Sequence, residues 1–120
     1  MKIAIIDDSV FMRRLVRAAF AQASPGAEIT EFAEAETALA ELPALAPDLI
    51  TVDMLMPKLH GLEFLARLRQ QARQPRVIVV TADIQKSIRE RCAELGVTEF
   101  IEKPITFDKL HATLTRLLAA

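Results

Sequence analysis

Asp7, Asp8, Asp53, Thr81 and Lys103 are the residues whose types could do chemistry together, because each stands at or just after the end of a short apolar run. Carboxylates about 4 Å apart repel by roughly 4 kcal/mol at an effective dielectric of about 20. Three of them in one pocket would share protons or recruit a cation. A hard divalent ion such as Mg2+ suits that set, since it takes carboxylates, waters and phosphate oxygens and needs neither imidazole nor thiolate. Lys103 would then be a counter-charge, to Asp53 at rest and to a phosphoryl oxygen afterwards, with the Thr81 hydroxyl donating to another oxygen. Plainer readings exist for each residue. Asp7 and Asp8 could cap a helix, Asp53 could be a polar residue leaving the core, Thr81 a β-branched strand end and Lys103 a solvated loop lysine. Two adjacent acids exceed what a cap needs, however, and Asp53 is enclosed by Ile50-Thr51-Val52 and Met54-Leu55-Met56. Their joint placement favours a shared site.

The elements that must position these residues follow from the apolar pattern. Strand-length, partly β-branched runs occupy residues 3–6, 28–32, 49–52, 77–80 and 98–101. Between them lie segments with apolar residues at helical spacing, long enough for the crossovers that parallel strands require. The pattern is βα repeated five times, and an open parallel sheet binds ligands at the carboxyl ends of its strands. Runs 1, 3 and 4 are almost unbroken and belong at the sheet centre, while Glu28, Thr30 and Glu31 put the second at an edge. Helix 1 is expected to start near Ser9, with Asp8 or Ser9 as cap, and to bury Phe11, Leu15, Ala18 and Ala19, leaving Arg13, Arg14 and Arg17 on its polar face. Helix 2, about residues 34–46, contains Pro43 and should be short or kinked. Helix 3 follows Gly61 and buries Leu62, Leu65 and Leu68. Helix 4 sets Ile84, Ile88, Cys92 and Leu95 on one stripe, with Gly96 just past its end. Helix 5 is capped by Thr106 and turns Phe107, Leu110, Leu114 and Leu117 inward.

Composition excludes much else. At 120 residues the expectation is one domain over 1–120, without a second catalytic or DNA-binding unit. The 52% apolar and 26% charged content is that of a folded globular chain. Fifteen Lys and Arg against sixteen Asp and Glu give a net charge of −1, too little basic field for direct nucleic-acid binding. Cys92 is the only cysteine, so an internal disulfide and a four-cysteine zinc site are both out, and His60 and His111 are far apart. Cys92 itself reads as core. No apolar run approaches the roughly 18 residues of a bilayer span. The start turns acidic at Asp7 before a signal region develops, which reads as cytoplasmic. The first turn, Asp7-Asp8-Ser9-Val10-Phe11, lacks the Gly-x-Gly-x-x-Gly of a dinucleotide site, and three glycines cannot build a P-loop. No Ser or Cys sits in a nucleophile elbow beside a histidine base. The best remaining nucleophile is a carboxylate.

With the acidic pair Asp7-Asp8, Asp53 followed by Met56-Pro57 and Gly61, Thr81 followed by Ala82, and Lys103-Pro104, the chain resembles the receiver domain of two-component response regulators over essentially its whole length. The resemblance implies a flavodoxin-like α/β fold, a five-stranded parallel sheet in the order 2-1-3-4-5 with five helices on both faces. It makes Asp53 the phosphoacceptor, attacking a phosphohistidine on a sensor histidine kinase or a small acyl phosphate. It assigns Mg2+ to Asp8, Asp53, the Leu55 backbone carbonyl and a water bridging to Asp7, and gives Thr81 and Lys103 the phosphoryl oxygens. It also implies a cis peptide before Pro104. Thr81 would be drawn inward on phosphorylation and Phe100, three residues before the lysine, would follow; Phe100 has no hydroxyl, so its signal must travel through packing. The plainer alternative is that Phe100 is a fixed core residue. The readout face for a downstream protein would be helix 4, strand 5 and helix 5, carrying Arg89, Glu94, Glu99 and Lys109, charges that equally fit a solvated face. A monomer or an activation-dependent homodimer is implied. Leu55, two after Asp53, cannot hydrogen-bond an attacking water, whereas Asp83, two after Thr81, carries a group that can.

The opening Asp7-Asp8-Ser9-Val10-Phe11-Met12-Arg13-Arg14 is similar to single-domain chemotaxis regulators. The expectation is then a switched binding module, not a turnover enzyme, without an output domain after helix 5. Three alternatives stand beside this: a docking scaffold that is never phosphorylated, a receiver piece of a larger regulator, and a haloacid-dehalogenase-type phosphatase. The last needs a second acid two residues after a strand-1 nucleophile, where this chain has Ser9.

Overall fold

Alternation along the central strands builds two cores. In the computed structural model, which describes residues 1–72 and 74–119, β1 (Lys2–Ile6), β3 (Leu49–Val52) and β4 (Arg76–Thr81) turn successive β-branched side chains to opposite faces. Ile3, Ile5, Leu49, Ile78 and Val80 meet Val16, Ala19 and Phe20 of α1 (Val10–Ala23) and Leu110 and Leu114 of α5 (Phe107–Ala119). Ala4, Ile6, Ile50, Val52, Val77 and Val79 meet α2 (Ala35–Leu45), α3 (Gly61–Leu68) and α4 (Lys86–Glu94) on the other face. The edges are β2 (Glu28–Phe32) and β5 (Glu99–Glu102), the two strands with glutamates among their apolar residues. All pairings are parallel, and the order is β2-β1-β3-β4-β5, as expected.

Three expectations about which apolar side chains the helices bury are corrected. Phe11 is 73% exposed and Ala18 is exposed too; α1 instead buries Val16, Ala19 and Phe20, with Met12, Leu15 and Ala23 beside them. Residues 10–23 are apolar at so many positions that two neighbouring stripes satisfy the 3.6-residue period, and packing against the sheet and α5 selects the one containing Phe20. Ile84 is half exposed because α4 begins only at Lys86, after a loop closed by Asp83; Ile88 and Cys92 hold the inner stripe. In α3, Phe64 joins Leu65 and Leu68 in the core while Leu62 is only partly buried.

Pro43 lies inside α2 as expected, and its missing N–H leaves the Leu39 carbonyl without an intrahelical donor. The Gln71 side-chain amide donates to that carbonyl at 3.3 Å, and the helix closes with left-handed Ala46. Arg69 ties the far end of the same layer: Nε donates to the Leu95 carbonyl at 2.7 Å and Nη2 to that of Gly96 at 3.0 Å, a cation where the C-terminus of α4 is electronegative. Thr106 Oγ1 accepts from the Lys109 N–H and caps α5.

Gly61 is the one glycine whose missing side chain matters for the site. Its N–H donates to the Met54 carbonyl, and a Cβ there would sit 2.5 Å from Met54 Cα. Met54 directly follows Asp53, so the loop after β3 folds back on itself only where residue 61 is bare. Gly61→Ala is expected to lower stability by roughly 1–3 kcal/mol through overpacking. Urea denaturation checks it, and an unchanged midpoint would contradict it.

Candidate functional site

The hydrogen-bond ladder continues one residue past the strand ends and carries the polar groups with it. Asp7 N–H donates to the Phe32 carbonyl of β2, Asp53 N–H to the Ile6 carbonyl of β1, and Lys103 N–H to the Thr81 carbonyl of β4. The backbones of Asp7, Asp53 and Lys103 are thus set by neighbouring strands. Asp7 (4% exposed) and Asp53 (5%) are buried at adjacent strand tips, and Thr81 is fully buried.

Lys103 reaches between the two acids. Its ammonium lies 2.8 Å from Asp7 Oδ2 and 2.7 Å from Asp53 Oδ2. The other oxygens are held locally: Asp7 Oδ1 accepts from the Ser9 N–H and Asp53 Oδ1 from the Leu55 N–H, both at 2.9 Å. The sequence reading paired Lys103 with Asp53 alone; Asp7, 96 residues away, is its second partner. The exposed Asp8 completes the group, with one oxygen from each of the three carboxylates within 4.8 Å of one another.

One ammonium is shared by two buried carboxylates, and the titration directions reflect it. Burial pushes the Asp7 carboxyl above its ordinary range, against the lowering from the Lys103 and Ser9 hydrogen bonds. Burial alone would lower Lys103, but hydrogen bonds to Asp53 and Asp7, and their charges, raise it above the usual lysine value. The ion pair therefore favours the charged lysine without drawing Asp7 below normal, because the desolvation of Asp7 outweighs a shared cation. An oxygen-only set with surplus negative charge fits a hard divalent ion such as Mg2+ and offers nothing to a soft metal.

Around this centre, Thr81 Oγ1 accepts from the Asp83 N–H at 3.2 Å. Asp83 Oδ1 is engaged by the backbone and side-chain N–H groups of Gln85, so that oxygen closes the turn into α4. The Lys103–Pro104 peptide is cis. Phe100 is partly buried on the α2–α3–α4 face, and the Arg89 guanidinium lies over its ring, 4.6 Å from the centroid. Arg89 therefore covers Phe100; Glu94 pairs with Arg91 and Glu99 with Arg116. Phe11, Leu55 and Ile84 stand exposed on the turns and helix start that follow β1, β3 and β4.

Residues 3–115 match the family described as the response regulator receiver domain. The chain is 31% identical to the chemotaxis protein CheY of Bacillus subtilis, over 98% of this chain and 97% of that protein. It is 32% identical, over its full length, to a protein-glutamate methylesterase/protein-glutamine glutaminase of Treponema denticola, of which it spans only 34%. The chemotaxis response regulator CheY4 of Vibrio cholerae has the same fold, with a TM-score of 0.84 at 27% identity and 97% of each chain covered. The strand order, the lysine-bridged acids at the strand tips and these matches together assign the chain to the response regulator receiver domain family of two-component signalling.

Proposed function

We propose that this chain is a phosphorylation-switched signalling module in which Asp53 takes a phosphoryl group from a phosphohistidine on a sensor histidine kinase. An Asp53 oxygen attacks phosphorus, the bond to the imidazole nitrogen breaks with its electron pair leaving on the histidine, and an acyl phosphate results. The observation that carries this is the buried Asp53 sharing the Lys103 ammonium with Asp7, next to exposed Asp8. Asp8, Asp53 and the Leu55 carbonyl would hold Mg2+, with Asp7 bound through water; when bound, the ion screens charge on the transferring group. Lys103 is free to leave Asp53 for a phosphoryl oxygen while keeping Asp7, and the Thr81 hydroxyl supplies a second donor. Inward movement of Thr81 draws Phe100 with it and uncovers it from Arg89, which changes the face of α4, β5 and α5 offered to a downstream protein. We place the module in the cytoplasm. The methylesterase activity of the longer relatives is not carried over.

Beryllofluoride stands in for the phosphoryl group. With Mg2+ present it is expected to shift amide resonances around Asp53, Thr81 and Phe100, and with either component alone to leave Thr81 and Phe100 in place. No shift with both present would favour a docking scaffold that is never phosphorylated.

A further inference from the structure

Arg13, placed by periodicity on the polar face of the first helix, is in fact turned inward with a side chain only 15% exposed. Its Nη1 donates to the backbone carbonyl of Asp7 at 2.7 Å, while its Nε meets Glu31 Oε1 of the edge strand at 3.2 Å. Glu31 is itself braced by Arg17, whose Nη2 holds the Ile29 carbonyl. The Asp7 residue is thus held at both ends, its N–H by Phe32 and its C=O by Arg13. The peptide joining Asp7 to Asp8 is planar, so fixing its carbonyl fixes the direction in which Asp8 leaves. Asp8 is the one exposed member of the carboxylate group.

We propose that Arg13 is a positioning residue for divalent-cation binding, acting through the Asp7 peptide to aim Asp8 at the cluster. The proposal rests on the metal reading given above. Its sign separates it from a simple field effect. A guanidinium near three carboxylates repels an incoming dication, so electrostatics alone predicts that Arg13→Ala binds Mg2+ more tightly. Positioning predicts the opposite.

The test is Mg2+ titration of the full chain, by calorimetry and by the amide shifts of Asp8 and Ser9. Arg13→Ala is expected to weaken binding about ten-fold, the low end for groups that orient a metal ligand. Arg13→Lys should fall between it and the parent, because an ammonium cannot fork to Asp7 and Glu31 as a guanidinium does. Arg17→Ala, which loosens the same helix and strand without touching Asp7, should stay within about two-fold, where surface ion pairs contribute little. Equal or tighter binding by Arg13→Ala, or equal loss in Arg17→Ala, overturns the proposal. If Arg13→Ala does not fold, Arg13→Lys decides it, and affinity equal to the parent rejects it. A parent chain that takes up no Mg2+ would instead reject the metal reading.

Discussion

Asp53→Asn is expected to fold like the parent and to take up no acid-labile phosphate from acetyl phosphate and Mg2+. Asparagine keeps the size of the side chain and an oxygen for the Leu55 N–H, but an amide is not a nucleophile and cannot form an acyl phosphate. Lys103 keeps Asp7 as partner, and removing one of two neighbouring carboxylates relieves repulsion, so the stability change should stay within about 1 kcal/mol. Intact-mass spectrometry before and after acid treatment reads the result. Stoichiometric labelling of the variant would move the acceptor elsewhere, with Asp7 the first candidate.

Lys103→Ala should produce the largest loss of stability. The lysine and both acids are at most 14% exposed at the side chain, so solvent screens the pair poorly. Removing the cation strands two buried carboxylates, a change that costs about 3–5 kcal/mol when the charges cannot relax. The pH profile carries the sharper prediction. Lys103, raised in the folded chain, contributes stability that is fully present below the ordinary lysine value and is lost only as pH rises through its raised one. It therefore gives no slope near neutrality. Asp7, raised mainly by burial, binds more protons folded than unfolded between its ordinary value of 3.8 and its raised one, so its term gains stability as pH falls through that window. Without Lys103 its hydrogen bond and charge no longer lower Asp7, only the Ser9 N–H still does, and the window widens upward. The deficit of Lys103→Ala in metal-free buffer should be greatest at neutral pH and shrink on mild acidification or on adding Mg2+. A deficit that is constant from neutral to acid would remove the shared cation from the account.

The architecture was legible because it rests on short-range periodicity. Almost unbroken apolar runs at residues 3–6, 49–52 and 77–80 identify strands buried on both faces, and Glu28 and Glu31 mark an edge. Local stereochemistry also reads directly: Gly96 takes its left-handed conformation after α4, Thr106 caps α5 and Cys92 packs in the core. That acids, a hydroxyl and a lysine end the strands was likewise visible before any fold was known.

What the residues do to one another required the fold. The rotation of α1 about its axis, which exposes Phe11 and buries Phe20, is set by the sheet and α5, since the helix sequence accommodates either stripe. The sharing of Lys103 between Asp7 and Asp53 joins residues 96 and 50 positions apart. The turn of Arg13 onto the Asp7 carbonyl needs Glu31 on the neighbouring strand to hold the other end of the guanidinium. By itself the sequence determined which groups arrive at the strand tips. Only the tertiary structure decided which atoms meet there, because hydrogen bonds and ion pairs depend on distances of a few ångströms that local propensity does not encode.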